Sequence, residues 1–158
     1  MIDLEAIELI KQLKARYFRF LDTANWEGMK DTVFTSDASI NFKSPSYDIS
    51  FNGWPELEKF YQSAFTKTRF GMHNGHHPEI TVNGDTAVGL WYLHDIFVNL
   101  DDNTQFEGSA LYRDECVKVD GEWRIKNSAY ERLFEQISKR PDDVKVTAIP
   151  IGNRFACD

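Results

Sequence analysis

Basic residues are in short supply: 18 Lys and Arg against 25 Asp and Glu leave a formal net charge of −7. Nucleic acid and anionic membrane both need a concentrated positive surface, so neither is expected as a partner. Cysteine is scarce too. Cys116 and Cys157 are too few for a disulfide framework. No run approaches the roughly 18 uncharged apolar residues of a membrane-spanning helix. The opening Met-Ile-Asp-Leu-Glu lacks the basic segment and apolar run of a signal peptide. These absences predict a cytoplasmic protein. There is no Gly-x-Gly-x-x-Gly after a strand, no phosphate loop and no Gly-x-Ser-x-Gly elbow. Nucleotide chemistry and serine hydrolysis therefore have no support.

Large rings, by contrast, are plentiful. Twelve Phe, six Tyr and four Trp in 158 residues can wall a cavity as well as fill a core. The length suits one domain. Helical spacing of Ile7, Ile10, Leu13, Tyr17, Phe20 and Leu21 predicts a first helix over 3–21, capped by Asp3, with Glu5, Glu8, Lys11 and Lys14 between the apolar positions. A second helix is predicted over 26–33 with Asn25 as cap, and a third from Trp54-Pro55. Residues 38–42 read as a short strand and 43–53 as a loop or irregular hairpin. From Arg69 the signals turn to strand. Turns at Asn83-Gly84, Asp101-Asp102-Asn103 and Asp120-Gly121 separate long strands over 86–100, 105–119 and 122–131. Helices first and strands after predict an α+β fold. Strands this long in so short a chain must curl, giving a cone with an interior. Both faces of the 86–98 strand are apolar: Trp91, Leu93 and Phe97 on one, Leu90, Tyr92 and Ile96 on the other. That pattern predicts a homo-oligomer, a dimer or trimer. An apolar tail over 139–158 is expected to pack on the body or on a neighbouring subunit.

Several polar residues fit a plain core badly. Tyr17 lies on the apolar stripe of the first helix, either as a core tyrosine or as a cavity donor. Asp22 lies roughly 140° around that helix from Tyr17. It is either a helix-end aspartate or a group bordering a wide cavity. Asp95 shares strand parity with Trp91, Leu93 and Phe97, where a bare carboxylate costs several kcal/mol, of the order of ~3 or more. It needs a partner such as Arg113 or Arg132, an upward-shifted pKa, or a wet cavity; His94, on the opposite parity, reads as structural. Three histidines fall in Gly71-Met72-His73-Asn74-Gly75-His76-His77-Pro78. No cysteine is near and no His-Glu-x-x-His helix exists, so acid–base work by one of them is favoured over a metal. Gly75 and Pro78 break the parity, so alternation does not select which one points inward.

Arg-Tyr-Phe-Arg-Phe-Leu-Asp at 16–22, Trp26, the His73 segment, Asn83-Gly84-Asp85-Thr86-Ala87, Trp91-Tyr92-Leu93-His94-Asp95, Tyr112-Arg113-Asp114-Glu115 and Asp120-Gly121-Glu122-Trp123-Arg124-Ile125 together resemble the SnoaL-like branch of the nuclear transport factor 2 superfamily. The resemblance implies a cone-shaped, strongly curved antiparallel sheet wrapped around three N-terminal helices, with the domain over 1–138. Within the superfamily the chain is most similar to the scytalone dehydratase, bile acid 7α-dehydratase and hexachlorocyclohexane dehydrochlorinase group. Those enzymes eliminate water or HCl without a cofactor, using a pocket His paired with an Asp of the first helix. The resemblance places His73, Asp22, Tyr17 and Asp95 at catalytic positions. Trp91, Phe18, Leu93, Phe97, Asn127 and Arg132 become the expected substrate-binding set for a small hydrophobic molecule. Scytalone dehydratase carries a second pocket histidine where this chain has Asp95, which separates the two. The implied activity is a cofactor-independent, metal-independent β-elimination. The same base could instead serve an isomerase or cyclase, and the fold also hosts non-catalytic binders.

Overall fold

The computed structural model describes residues 2–153, so Cys157 and the end of the tail lie outside the described residues. Helix α1 (Leu4–Thr23) starts where the Asp3 carboxylate accepts the Ala6 N–H at 3.0 Å. It ends at Ala24, which takes the left-handed conformation with φ 57°. Asn25 caps α2 (Trp26–Thr32) by accepting the Gly28 N–H at 2.9 Å. The hairpin of β1 (Phe34–Ser44) and β2 (Tyr47–Asn52) follows, then α3 (Trp54–Ala64), with Pro55 in its first turn. Four long strands complete the fold: β3 (Arg69–Asn83), β4 (Thr86–Asn99), β5 (Thr104–Val119) and β6 (Glu122–Lys139).

The sheet order is β2-β1-β6-β5-β4-β3. Strands β3 to β6 form the expected antiparallel meander, but β1 lies parallel to β6. The sheet is therefore mixed rather than wholly antiparallel, and it does not close on itself. The parallel joint arises because the early hairpin docks beside the last strand, with the rest of the chain as crossover. Register shifts at His76/Glu79, at Ser109/Ala110 and at Glu115/Cys116 add local bends to the long strands. Of the two readings of 43–53, loop or irregular hairpin, the structure shows the hairpin: the end of β1, the turn and β2. Strand β6 extends to Lys139, well past the predicted end near 131.

The concave face carries the core. Along β4, Ala87, Trp91, Leu93 and Asp95 are buried while Leu90, Tyr92 and His94 point to the convex side. The α1 residues Ile10, Leu13, Tyr17, Phe18 and Leu21 meet this face. Lys14 departs from the reading of a position between the apolar ones: it is buried with them. After β6 the tail is tied to the β4–β5 turn, where Arg140 N–H donates to the Asn103 carbonyl at 3.0 Å and Asn103 Nδ2 donates to the Arg140 carbonyl at 3.1 Å.

Candidate active site

Three elements bring the candidate residues together. Asp22 comes from the last turn of α1, His73 from β3 and Asp95 from β4. The β3–β4 register sets His73 directly opposite Asp95 on the concave face. Cross-strand neighbours of this kind have Cβ atoms roughly 4.5–5.5 Å apart. Gly71 and Gly75 flank His73 two residues away on either side. A side chain at 75 would come within 2.7 Å of the Phe18 ring, so the glycine lets Phe18 lie flat against the imidazole, with an interplanar angle of 7° and 5.9 Å between centroids. The parity break at Gly75–Pro78 is real: His77 has φ 50°, the register shifts there, and His76 and His77 are exposed.

Asp22 clamps His73 twice. Its Oδ1 takes Nδ1 of the ring at 2.5 Å and its Oδ2 accepts the His73 backbone N–H at 3.1 Å. The side chains are 9% and 17% exposed for His73 and Asp22 respectively. A carboxylate on Nδ1 places the ring proton there, which leaves Nε2 as the basic nitrogen. Nε2 makes no hydrogen bond among the described residues.

The imidazole borders a cavity of about 490 Å³. Its walls are mostly rings: Phe42, Phe60, Phe65, Phe97 and Phe106, with Leu21, Ile49 and Leu93. Two tyrosine clusters supply polar atoms. Tyr17 Oη lies 3.3 Å from Tyr112 Oη and 3.4 Å from Tyr61 Oη, and Tyr47 Oη lies 2.6 Å from Tyr130 Oη. Burial pushes the Tyr17, Tyr61 and Tyr112 hydroxyls well above their ordinary pKa, so they remain protonated. Three hydroxyl protons across two contacts leave one O–H without an acceptor inside the first cluster.

Asp95 lines the same cavity but is not a bare carboxylate. Arg132 donates from Nη1 to Oδ1 at 2.6 Å and from Nη2 to Oδ2 at 2.8 Å, while its Nε donates to Tyr47 Oη at 3.3 Å. Phe106 and Tyr130 lie near the guanidinium, 4.6 and 5.0 Å from their ring centroids. Arg132 is on β6 and Asp95 on β4, so the side chain crosses β5. It does so beside Gly108, where a Cβ would stand 3.3 Å from Nη1. Burial opposes the charge on Arg132, but Asp95 overrides it and raises the pKa further. The ion pair resolves the alternatives for Asp95: Arg132 is the partner. Arg113 lies on the convex side and pairs with Glu115, and His94 pairs with Glu107 at 3.0 Å there. The bidentate guanidinium thus engages both oxygens of the Asp95 side chain.

Of the expected binding set, Leu93, Phe97 and Arg132 line the cavity. Phe18 and Trp91 instead border an outer cleft on the far side of His73, with Asp22, Lys11, Lys14 and His76. Trp91 is drawn there because its ring folds over Gly89, where a Cβ would be 2.0 Å away. Asn127 is remote from the cavity; it accepts from Ser39 Oγ and donates to Glu115, each at 2.7 Å, bridging strands. Sequence reasoning missed Tyr47, Tyr61, Tyr112 and Tyr130. Of these, Tyr112 had a signal, since it shares parity with Ala110 and Cys116 on β5. Among the described residues, no group of three or more His, Cys, Asp or Glu could hold a metal ion.

A one-sided cone of helices and curved sheet, holding a ring-lined hollow with a clamped imidazole at its wall, defines a small-molecule-binding α+β fold. The chain belongs to the SnoaL-like domain family, which matches residues 3–129. Among solved structures, it is similar to a proposed aromatic ring hydroxylase of Novosphingobium aromaticivorans, at 21% identity and a TM-score of 0.78 over 87% of this chain and 95% of that one. A proposed scytalone dehydratase of the same organism matches at 22% identity and a TM-score of 0.74, covering 96% of each chain. A hexachlorocyclohexane dehydrochlorinase of Novosphingobium barchaimii matches at 14% identity and a TM-score of 0.74, over 90% of this chain and 97% of that one. At these identities the likeness concerns the fold.

Proposed function

We propose that the chain is a lyase catalysing β-elimination, most simply dehydration, on a small hydrophobic cyclic compound. The observation that carries this is the double clamp of Asp22 on His73 beside the cavity. Nε2 removes a proton from carbon next to a carbonyl, and the C–H electrons become a C=C bond as the C–O bond to the leaving hydroxyl breaks. The imidazolium formed is stabilised by Asp22 and returns its proton to the departing hydroxide, giving water. The spare O–H of the tyrosine cluster is suited to hold the carbonyl oxygen as it gains charge. The rings exclude water and bind the carbon skeleton. The dehydratase and dehydrochlorinase among the structural relatives agree with this class of reaction. An isomerase would use the same base, returning the proton to carbon.

The test uses a panel of cyclic β-hydroxy ketones, with appearance of the conjugated enone followed by absorbance. His73→Ala and Asp22→Asn should fold and should each lose about 10²-fold or more in rate. Equal rates in parent and variants would overturn the assignment. Proton exchange without enone formation would select the isomerase.

The reading extends to self-association as a dimer or trimer through the convex face. There Tyr92 and Leu111 are paired neighbours, 47% and 39% exposed. Light scattering giving a stable 18.3 kDa monomer would contradict it. A cytoplasmic setting accords with Cys116 being a buried free thiol. Among the described residues, no helix is long and apolar enough to cross a membrane.

A further inference from the structure

Lys14 is the one side chain of α1 that is both charged and fully inside the core, and the reaction above does not use it. Its Nζ donates to Asp114 Oδ2 at 2.8 Å, and Asp114 Oδ1 accepts from Ser128 Oγ at 2.6 Å. The Lys14 and Asp114 side chains are 3% and 0% exposed. The ammonium also faces rings, 3.5 Å from the centroid of Tyr112, 4.6 Å from Tyr17 and 4.9 Å from Phe18.

Those rings are not incidental. Phe18 is stacked on His73, and Tyr17 and Tyr112 share the hydroxyl cluster at the cavity. Lys14, Phe18 and Asp22 follow at intervals of four on one stripe of α1. From Lys14 to Asp22 is two helical turns, roughly 12 Å. The helix is thus fixed to the sheet at two separated points: Asp22 on β3, and Lys14 on β5 and β6 through Asp114 and Ser128. Two such points set both the depth and the rotation of α1. A buried ion pair adds little net stability over apolar side chains of similar size, so registration explains its presence here better than stability does.

We propose that Lys14 is a positioning residue: its buried latch to Asp114 and Ser128 holds α1 in the register that lets Asp22 clamp His73. The catalytic importance of the latch rests on the function proposed above, whereas its geometric effect does not, and the experiment separates the two. In full-length protein labelled with 15N-histidine, the Nδ1–H of His73 gives a resonance protected from exchange by Asp22. Asp22→Asn should abolish that protection; if it does not, the dyad itself is wrong. Lys14→Met with Asp114→Leu removes both charges together and should keep Tm within a few degrees. The His73 Nδ1–H should nevertheless exchange about tenfold faster or be lost. As a milder variant, Ser128→Ala keeps the ion pair and removes only the second donor to Asp114, and should speed exchange about fivefold. Unchanged protection in the folded double variant, or in Ser128→Ala should the double variant fail to fold, would overturn the latch while leaving the dyad standing.

Discussion

Replacing Arg132 by Met tests whether the cavity is dry where the ion pair meets it. The substitution keeps much of the side-chain volume and removes the guanidinium. Asp95 then loses both of its hydrogen bonds, at 2.6 and 2.8 Å, in a site where its side chain is 4% exposed. Tyr47 loses its N–H donor as well. Breaking a buried pair by removing one partner costs about 3–5 kcal/mol, because a charge is left behind without compensation. One side of this pair borders the cavity, so the expected loss is at the low end, about 3 kcal/mol. For a domain of this size that is a fall in Tm of roughly 6–12 °C. Urea unfolding followed by tryptophan fluorescence reads the difference, with an unchanged m-value showing that only stability has moved. The double variant Asp95→Leu, Arg132→Met should recover most of the loss, since no charge is stranded. A loss below about 1 kcal/mol in Arg132→Met, the range of solvent-exposed pairs, would mean that water screens the site. The picture of a dry, polar-ended hollow would then be wrong.

Gly75→Ala should push the Phe18 ring off the His73 imidazole, since the new Cβ would stand 2.7 Å from that ring. We expect a stability loss of about 1–3 kcal/mol and altered ring-current shifts on the His73 ring protons; thermal and NMR behaviour identical to the parent would refute the packing argument. Alkaline pH should also destabilise the protein. Burial, helped by Asp114 and opposed by Lys14, pushes the Cys116 thiol from its ordinary 9.0 up to about 12. Between those values the unfolded chain has released a proton that the folded chain keeps, so stability falls as pH rises through that window. The buried hydroxyls of Tyr17, Tyr61 and Tyr112 act in the same direction above 10.0, while Lys14, held below 10.5 by burial, partly offsets them. Thermal unfolding scans should show Tm declining above about pH 9.5, and a flat Tm up to about pH 11 would contradict the burial of these groups.

The helices and turns were legible because local chemistry decides them. The apolar stripe of α1, the Asp3 and Asn25 caps and the positive-φ glycines at 84 and 121 stand where the sequence indicated. Lys14 was misread as a polar position between the apolar ones because of its charge, although it is four residues from both Ile10 and Phe18, on the buried stripe. The dyad was not legible from spacing, because Asp22 and His73 are 51 residues apart and meet through tertiary packing alone; the family resemblance supplied that pairing. The parallel β1–β6 joint is equally non-local. Arg132 could be named as a partner for Asp95, yet its strand was cut short near 131. Beyond that point Glu131, Glu135, Gln136 and Lys139 mask the alternation of a strand that is exposed over much of its length.

The ion pair on Asp95 has a stereochemical consequence for the proposed elimination. A leaving hydroxyl needs a proton, and the cavity offers few sources. Both Asp95 oxygens already accept from Arg132. Tyr17, Tyr61 and Tyr112 keep their protons, because burial raises their pKa far above neutrality. They are suited to donate hydrogen bonds and poorly suited to release protons. In the proposed reaction the donor is the His73 imidazolium, which has just received the proton from carbon. One nitrogen can serve both atoms only if the C–H and the C–O bond lie on the same face of the substrate. The elimination should therefore be syn. A pair of cyclic β-hydroxy ketones, each carrying deuterium at the α-carbon either cis or trans to the hydroxyl, decides it by mass spectrometry of the enone. Loss of the cis label is expected. Loss of the trans label would require a second proton donor facing His73 across the substrate and would refute the single-base reading of the site.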